Sequence, residues 1–125
     1  MENPITNTWH AKSSLLMLGV VLLELFHGQK LETQACWKQY LVNGNPNQNT
    51  KLLSAFRWVD SSKKAMIECL GEDLADALSE AILKCICFRF KHEPICGDPK
   101  LVDDVYQDVV VPLEKCCPPS LLEMY

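Results

Sequence analysis

The run Ser13–Gly28, Ser-Ser-Leu-Leu-Met-Leu-Gly-Val-Val-Leu-Leu-Glu-Leu-Phe-His-Gly, limits the chain more than any other stretch. From Leu15 to Leu23 no side chain is charged or polar; Glu24 interrupts the run, and Leu25 and Phe26 resume it. Ser13 or Ser14 offers a hydroxyl that can cap a helix start. Gly28 can end the helix in a left-handed conformation without a Cβ clash. Leu15, Leu18, Leu22 and Phe26 fall on one face and Leu16, Val20 and Leu23 on another. A helix apolar on every face is buried on every side. The expected fold is all-α, an irregular bundle of roughly five or six helices around a central hydrophobic helix over residues 14–27. Within it Leu18, Val21, Leu22 and Leu25 are expected to be almost fully buried.

A membrane span needs about 18 or more apolar residues. This run is shorter and carries Glu24, so no span is expected. A secretory signal peptide competes, with Lys12 as its basic region and residues 14–26 as its apolar region. Against it stand the acidic Glu2, the charge of Glu24, and the lack of an Ala-x-Ala-like cleavage site after the run.

The 125 residues make one domain or a piece of one. The hydrophobic share of 48% argues against disorder throughout. A net charge of −4 argues against nucleic acid as a partner. The basic residues are scattered, with Lys63-Lys64 and Arg89/Lys91 the only local groupings. Seven cysteines leave one unpaired in any complete disulfide scheme. Cys36, Cys69, Cys85 and Cys87 lie in stretches that read as helix, where free cysteine behaves as a small buried hydrophobe. Reduced thiols in a cytoplasmic protein are expected; a secreted disulfide scaffold is the alternative.

Residues 1–12 lack periodicity, and Pro4 disfavours an early helix, so they read as an irregular lead-in to a single helical domain over 13–117. A second helix is expected over Glu32–Val42. Asn43-Gly44-Asn45-Pro46-Asn47-Gln48-Asn49 is a loop by composition. A third helix spans Thr50–Trp58, with Leu52, Leu53, Phe56 and Val59 apolar. Asp60, Ser61 or Ser62 caps a further short helix through Leu70. Glu72–Phe88 is the clearest amphipathic segment, with Leu74, Leu78, Ala81, Ile82 and Cys85 at helical spacing. Arg89–Pro99 is a loop. Asp98 or Pro99 opens a last helix through Cys117, with Leu101, Val105, Val109 and Leu113 inward and a break expected before Val111 because of Pro112. Asp103, Asp104 and Asp108 fall on its exposed face. Residues 118–125 form a tail after Pro118-Pro119.

Cys85-x-Cys87-x4-His92-x3-Cys96 offers the soft donors that tetrahedral zinc prefers. Its spacing misses the Cys-x2-Cys-x4-His-x4-Cys zinc knuckle, and Cys85 and Cys87 on one helix project from different faces. No bound metal or other cofactor is expected. A Cys–His nucleophile would need Cys96 beside His92 or His27, and no motif joins them.

Leu18-Gly19-Val20-Val21-Leu22-Leu23-Glu24-Leu25-Phe26-His27-Gly28 resembles the "SLGVVLLELxxG" segment of protein kinases. Gly71-Glu72-Asp73-Leu74-Ala75-Asp76-Ala77, Lys84-Cys85-Ile86 and Val109-Val110-Val111-Pro112-Leu113-Glu114 follow in the order of a fungal kinase-like family. Members of that family often accompany prion-inhibition or NLR-type signalling domains. The resemblance implies a fold similar to the lower part of a kinase C-lobe. Phosphoryl transfer needs a Gly-rich loop, a strand lysine, a catalytic-loop Asp and Asn, and an Asp-Phe-Gly; none is present. The kinase acid near the start of the hydrophobic helix is matched by Ser14. The arginine of "DPxxRP" has no counterpart, because Lys100-Leu101 follow Asp98-Pro99. The expected function is that of a non-catalytic, pseudokinase-type module for protein–protein contact that binds no ATP. The alternative is a small secreted cysteine-containing effector with residues 1 to about 30 removed. In a complete kinase-like lobe the catalytic-loop segment covers part of the hydrophobic helix. Without it, some of Leu15, Leu16, Val20 and Leu23 are expected to stay exposed, as a contiguous patch for self-association or a protein partner.

Overall fold

Helix α1 begins at Pro4 and runs to His27, well before the serines expected to start it. The computed structural model describes residues 4–116 and their side chains over 8–115. Proline is tolerated in the first turn of a helix, where its missing N–H has no partner anyway. Most of the stretch expected as an irregular lead-in is therefore helical. Gly28, at φ +65°, ends the helix, its N–H donating to the Glu24 carbonyl at 2.8 Å. Glu24 explains its own place in the apolar run. Its Oε2 accepts the backbone N–H of Leu31 at 2.9 Å and so fixes the turn into the next element.

That element is a 3-10 turn over Leu31–Thr33, followed by the short helix α2, Ala35–Gln39. The longer helix expected over Glu32–Val42 does not form. Val42 and Asn45 exchange backbone hydrogen bonds at 2.8 and 3.0 Å around Asn43 and Gly44. Both central residues have positive φ, 53° and 79°, the requirement of a type I′ turn. Among the described residues this lone bridge is the only β pairing.

Helix α3 runs unbroken over Thr50–Leu70. Asp60, Ser61 and Ser62 start no new helix. Ser61 and Ser62 instead turn their hydroxyls back onto the Trp58 carbonyl, which lets a serine sit inside a helix. Ser54 does the same onto Thr50. The buried side of α3 is Thr50, Ser54, Ala55, Trp58, Val59, Ser62 and Met66, while Leu53 and Phe56 face outward. After Gly71, helix α4 spans Glu72–Cys87 and buries Ala75, Leu78, Ser79, Ala81, Ile82, Cys85 and Ile86.

Asp98 caps α5, Pro99–Val105, its Oδ1 accepting the Lys100 N–H at 2.9 Å. A π turn over Tyr106–Val110 leads into α6, Val111–Cys116. The break expected before Val111 takes this form. Pro112 has no N–H to give and its ring crowds the carbonyl four residues back, and one wider turn relieves both.

The described residues are an all-α bundle. Its middle is α4. One cluster joins Val20 and Leu23 of α1 to Leu31, to Ala55, Trp58, Val59 and Met66 of α3, and to Leu78, Ile82 and Ile86 of α4. A second joins Ala81 and Cys85 of α4 to Val109 of the π turn, with Leu18, Leu22 and Leu113 at its edge. Only α4 gives fully buried side chains to both. The 14–27 run is thus a flanking helix with one side open: Leu18 and Leu22 are half-buried, Val21 is exposed, and Leu25 is 74% exposed.

Candidate functional site

The four candidate zinc ligands are not drawn together. Cys85 sits wholly inside the second core cluster, and burial pushes its thiol up to about 12. Enclosed in this way, with none of its surface exposed, the thiol is out of reach of a metal ion or a substrate. Cys87 is half-buried and Cys96 exposed. His92 turns Nδ1 toward Asp104, at 3.0 Å from Oδ2 and 3.2 Å from Oδ1, and donates its backbone N–H to the same Oδ2 at 2.9 Å. Among the described residues no three His, Cys, Asp or Glu side chains are placed to hold a metal ion. Cys36, Cys69, Cys85, Cys87 and Cys96 are unpaired thiols. Cys117 lies outside the described residues, and the side chain of Cys116 outside the described side chains.

Asp104 corrects the expectation that all three acids of the last helix are solvated. It is buried, whereas Asp103 is exposed and Asp108 meets Lys84 at 3.5 Å. Burial alone would raise the Asp104 carboxyl. The backbone N–H and ring of His92, with the charge of Lys91, outweigh burial and hold it below its ordinary value. The pair pins the 89–98 loop onto α5. It has the base-and-orienter form found in many active sites, but no described nucleophile is hydrogen-bonded to the ring.

A second pairing imitates a nucleophile and its base. His27 Nε2 lies 2.7 Å from Ser62 Oγ, and the imidazole stacks on the Trp58 indole with centroids 4.8 Å apart. The direction of the bonds decides what the pair can do. Ser62 gives its hydroxyl proton to the Trp58 carbonyl, so the His27 N–H must donate to Ser62 Oγ. A base that is already donating cannot take the serine proton. Burial pushes the His27 imidazole down, which favours its neutral form. The pair joins the end of α1 to α3.

The expected contact patch is inverted. Leu15, Val20 and Leu23 are buried and Leu16 is half-buried. The reason is Gly19. A Cβ built there would stand 2.7 Å from Ile86 Cγ1 and 3.3 Å from Cys85 Cβ. Glycine lets α1 lie directly on α4, and that close face is the buried one. The opposite ridge, with Met17, Val21 and Leu25 at four-residue spacing and Trp9 beyond the polar Ser13, lies open; Trp9 is 63% exposed.

At the N-terminal end of that open ridge lies a cleft of about 420 Å³. Trp9, Lys12, Ser13 and Leu16 of α1 form one wall, Asn47, Gln48, Lys51 and Leu52 the other, and Phe88 closes the end. Phe88 holds a left-handed conformation at φ 58°, ψ 39° as the last cap of α4, where glycine is the usual occupant. None of the lining residues is acidic. Nothing in the sequence pattern brought these residues together. The one local signal was that α4 stops at Phe88 without a glycine.

By length and composition Thr8–His27 is apolar enough to cross a membrane, a requirement the shorter run did not meet. Its buried Leu15, Val20 and Leu23 are also what a core helix shows. Comparison with family models, curated proteins and solved structures returns no match.

Proposed function

We propose that this chain is a non-catalytic helical module, kinase-like in its motifs, that acts by protein–protein contact through the outer ridge of α1. One observation carries the reading. Met17, Val21 and Leu25 form an exposed apolar ridge, with Trp9 beyond Ser13 at its N-terminal end, on a helix whose other side is firmly packed. Contiguous exposed apolar surface of this kind marks interaction sites. Both side-chain pairs that resemble catalytic machinery, His27–Ser62 and His92–Asp104, are engaged in holding elements together. The order of the kinase-like motifs supports a place among fungal signalling proteins of that type. The unpaired thiols fit a reducing, cytoplasmic setting.

Light scattering over a concentration series tests the contact surface. The isolated chain should associate, and Leu25→Glu should return it to monomer, with a melting temperature equal to that of the wild type at concentrations where both are monomeric. A wild type that stays monomeric at high concentration removes the support. Calorimetry with magnesium and ATP tests the non-catalytic part; saturable binding would refute it.

Secretion after loss of residues 1 to about 30 is the second reading, favoured by the apolar length of Thr8–His27. Such cleavage would also strip Leu15, Val20 and Leu23 from the core. N-terminal sequencing of the protein from its native cell separates the two.

A further inference from the structure

We infer that the cleft between α1 and the start of α3 binds an acidic, apolar segment of a partner protein, with carboxylates on Lys12 and Lys51. This rests on the reading of the chain as a contact module and gives the partner its chemistry.

Charge favours an acidic occupant. The chain carries 16 acidic residues against 12 basic ones, so an acid-free surface with two lysines is a local reversal. Among the described residues neither lysine meets a carboxylate; the ion pairs there involve Lys63, Lys84 and His92. Lys12 Nζ lies 5.7 Å from the centre of the Phe88 ring. Lys51 Nζ lies 3.2 Å from Met17 Sδ. An aromatic face and a thioether are soft partners that leave an ammonium charge largely uncompensated. The first turn of α3 adds no acid.

The shape of the cleft favours an apolar one. Leu16, Leu52 and Trp9 line the same cleft, so an occupant meets apolar surface beside the two cations. The volume suits a few side chains rather than a folded domain. The cleft is also continuous with the open ridge, because Trp9 belongs to both and Met17 touches Lys51. A small anion would use only the lysines. An extended or helical segment laid along α1 uses the lysines, the cleft wall and the ridge through Val21 and Leu25.

Phe88 fits the same account. A bulky residue in left-handed backbone is strained, and such strain persists where the surroundings or the function require the side chain. Here the ring forms the end of the cleft and sits beneath Lys12.

The probe is a fluorescein-labelled amphipathic peptide with leucines at helical spacing and glutamates beside them, set against a twin with glutamine for every glutamate. Fluorescence polarisation should show the glutamate peptide binding about tenfold more tightly, the effect of two exposed ion pairs acting together. Rising salt should narrow that gap. Lys12→Glu/Lys51→Glu should remove the preference, and Lys12→Gln/Lys51→Gln serves if charge reversal disturbs folding. Equal binding of the two peptides, or an unchanged preference in the lysine variants, overturns the proposal. So does capture by phosphatidylserine vesicles without peptide binding, which would make the occupant a lipid surface. A lysine-dependent dimer of the chain that ignores the peptide overturns it in favour of a second copy. Leu25→Glu lies outside the cleft. If it weakens both peptides alike while the lysine variants change nothing, the ridge reading stands and the cleft assignment fails.

Discussion

Along α1 the ridge Ala11, Leu15, Gly19 and Leu23 and the ridge Trp9, Met17, Val21 and Leu25 lie on opposite sides of one helix. The first is sealed against the bundle and the second faces out. Apolar area does not separate them; the open ridge has the larger side chains. What separates them is shape. Alanine and glycine on the inner ridge let the backbone approach α4, with Leu15 and Leu23 filling the space on either side of the crossing. Water-to-core transfer scales with area and is indifferent to direction, whereas close packing depends on the fit of two particular surfaces. The bulkier ridge is the one left for an outside partner.

The sharpest way to break this comparison is to charge the two ridges in turn. Leu23→Asp would place an unpaired carboxylate in the main core and should cost several kcal/mol, about 4 or more, or prevent folding. Leu25→Asp should change stability by less than about 0.5 kcal/mol. Urea denaturation measures both. Equal losses would mean that the outer ridge is also covered.

The role of the glycine is tested by Gly19→Ala. The added methyl must displace Ile86, fully buried, and overpacking of this kind costs about 1–3 kcal/mol. A gain of up to about 1 kcal/mol in helix propensity opposes that cost. Thermal melting should show a net loss. The cost of Gly19→Ala should shrink when measured in an Ile86→Ala background, because the clashing atom is gone. Simple additivity would show that the close approach does not decide which ridge is buried.

Phe88→Gly should act with the opposite sign. Releasing the left-handed strain should stabilise the chain by about 1 kcal/mol, less some entropy of the unfolded glycine. Binding of the glutamate peptide should weaken at the same time. A variant that loses stability would show Phe88 to be a core residue and no part of an open surface.

The smallest effect expected is the pH response of the joint between α1 and α3. Burial holds His27 below its ordinary value of 6.5. Between its folded and unfolded pKa values the unfolded chain binds more protons, so stability rises with pH there. The contribution is complete above about 6.5 and is lost as pH falls through the folded pKa. His27→Phe keeps a ring against Trp58 without the titration, so its stability should fall less than that of the wild type between about pH 7 and 5. Parallel curves for the two proteins would show that folding does not shift the His27 pKa.

The elements themselves were legible residue by residue. Glu72–Phe88 reads as an amphipathic helix, Asp98-Pro99 as a helix start, Gly28 as a stop and Pro112 as a break. Each signal works within a turn or two of its own residue. The helix expected over Glu32–Val42 shrank to Ala35–Gln39, and two other errors came where two local rules competed. Pro4 blocks a helix interior but suits a helix start, and Ser61 and Ser62 can cap a new helix or bond back within an old one. In both cases the continuing helix won.

The sequence alone determined that this chain is helical and where most of its helices begin and end, because caps, periodicity and proline act over a few residues. Tertiary structure alone decided that α4 takes the middle, that α1 turns its glycine ridge inward, and that Asp104 is buried beneath His92. It alone brought Lys12, Lys51 and Phe88 to one cleft. Those outcomes depend on the fit between surfaces tens of residues apart. A helix apolar all round carries no mark of which side will find the better fit.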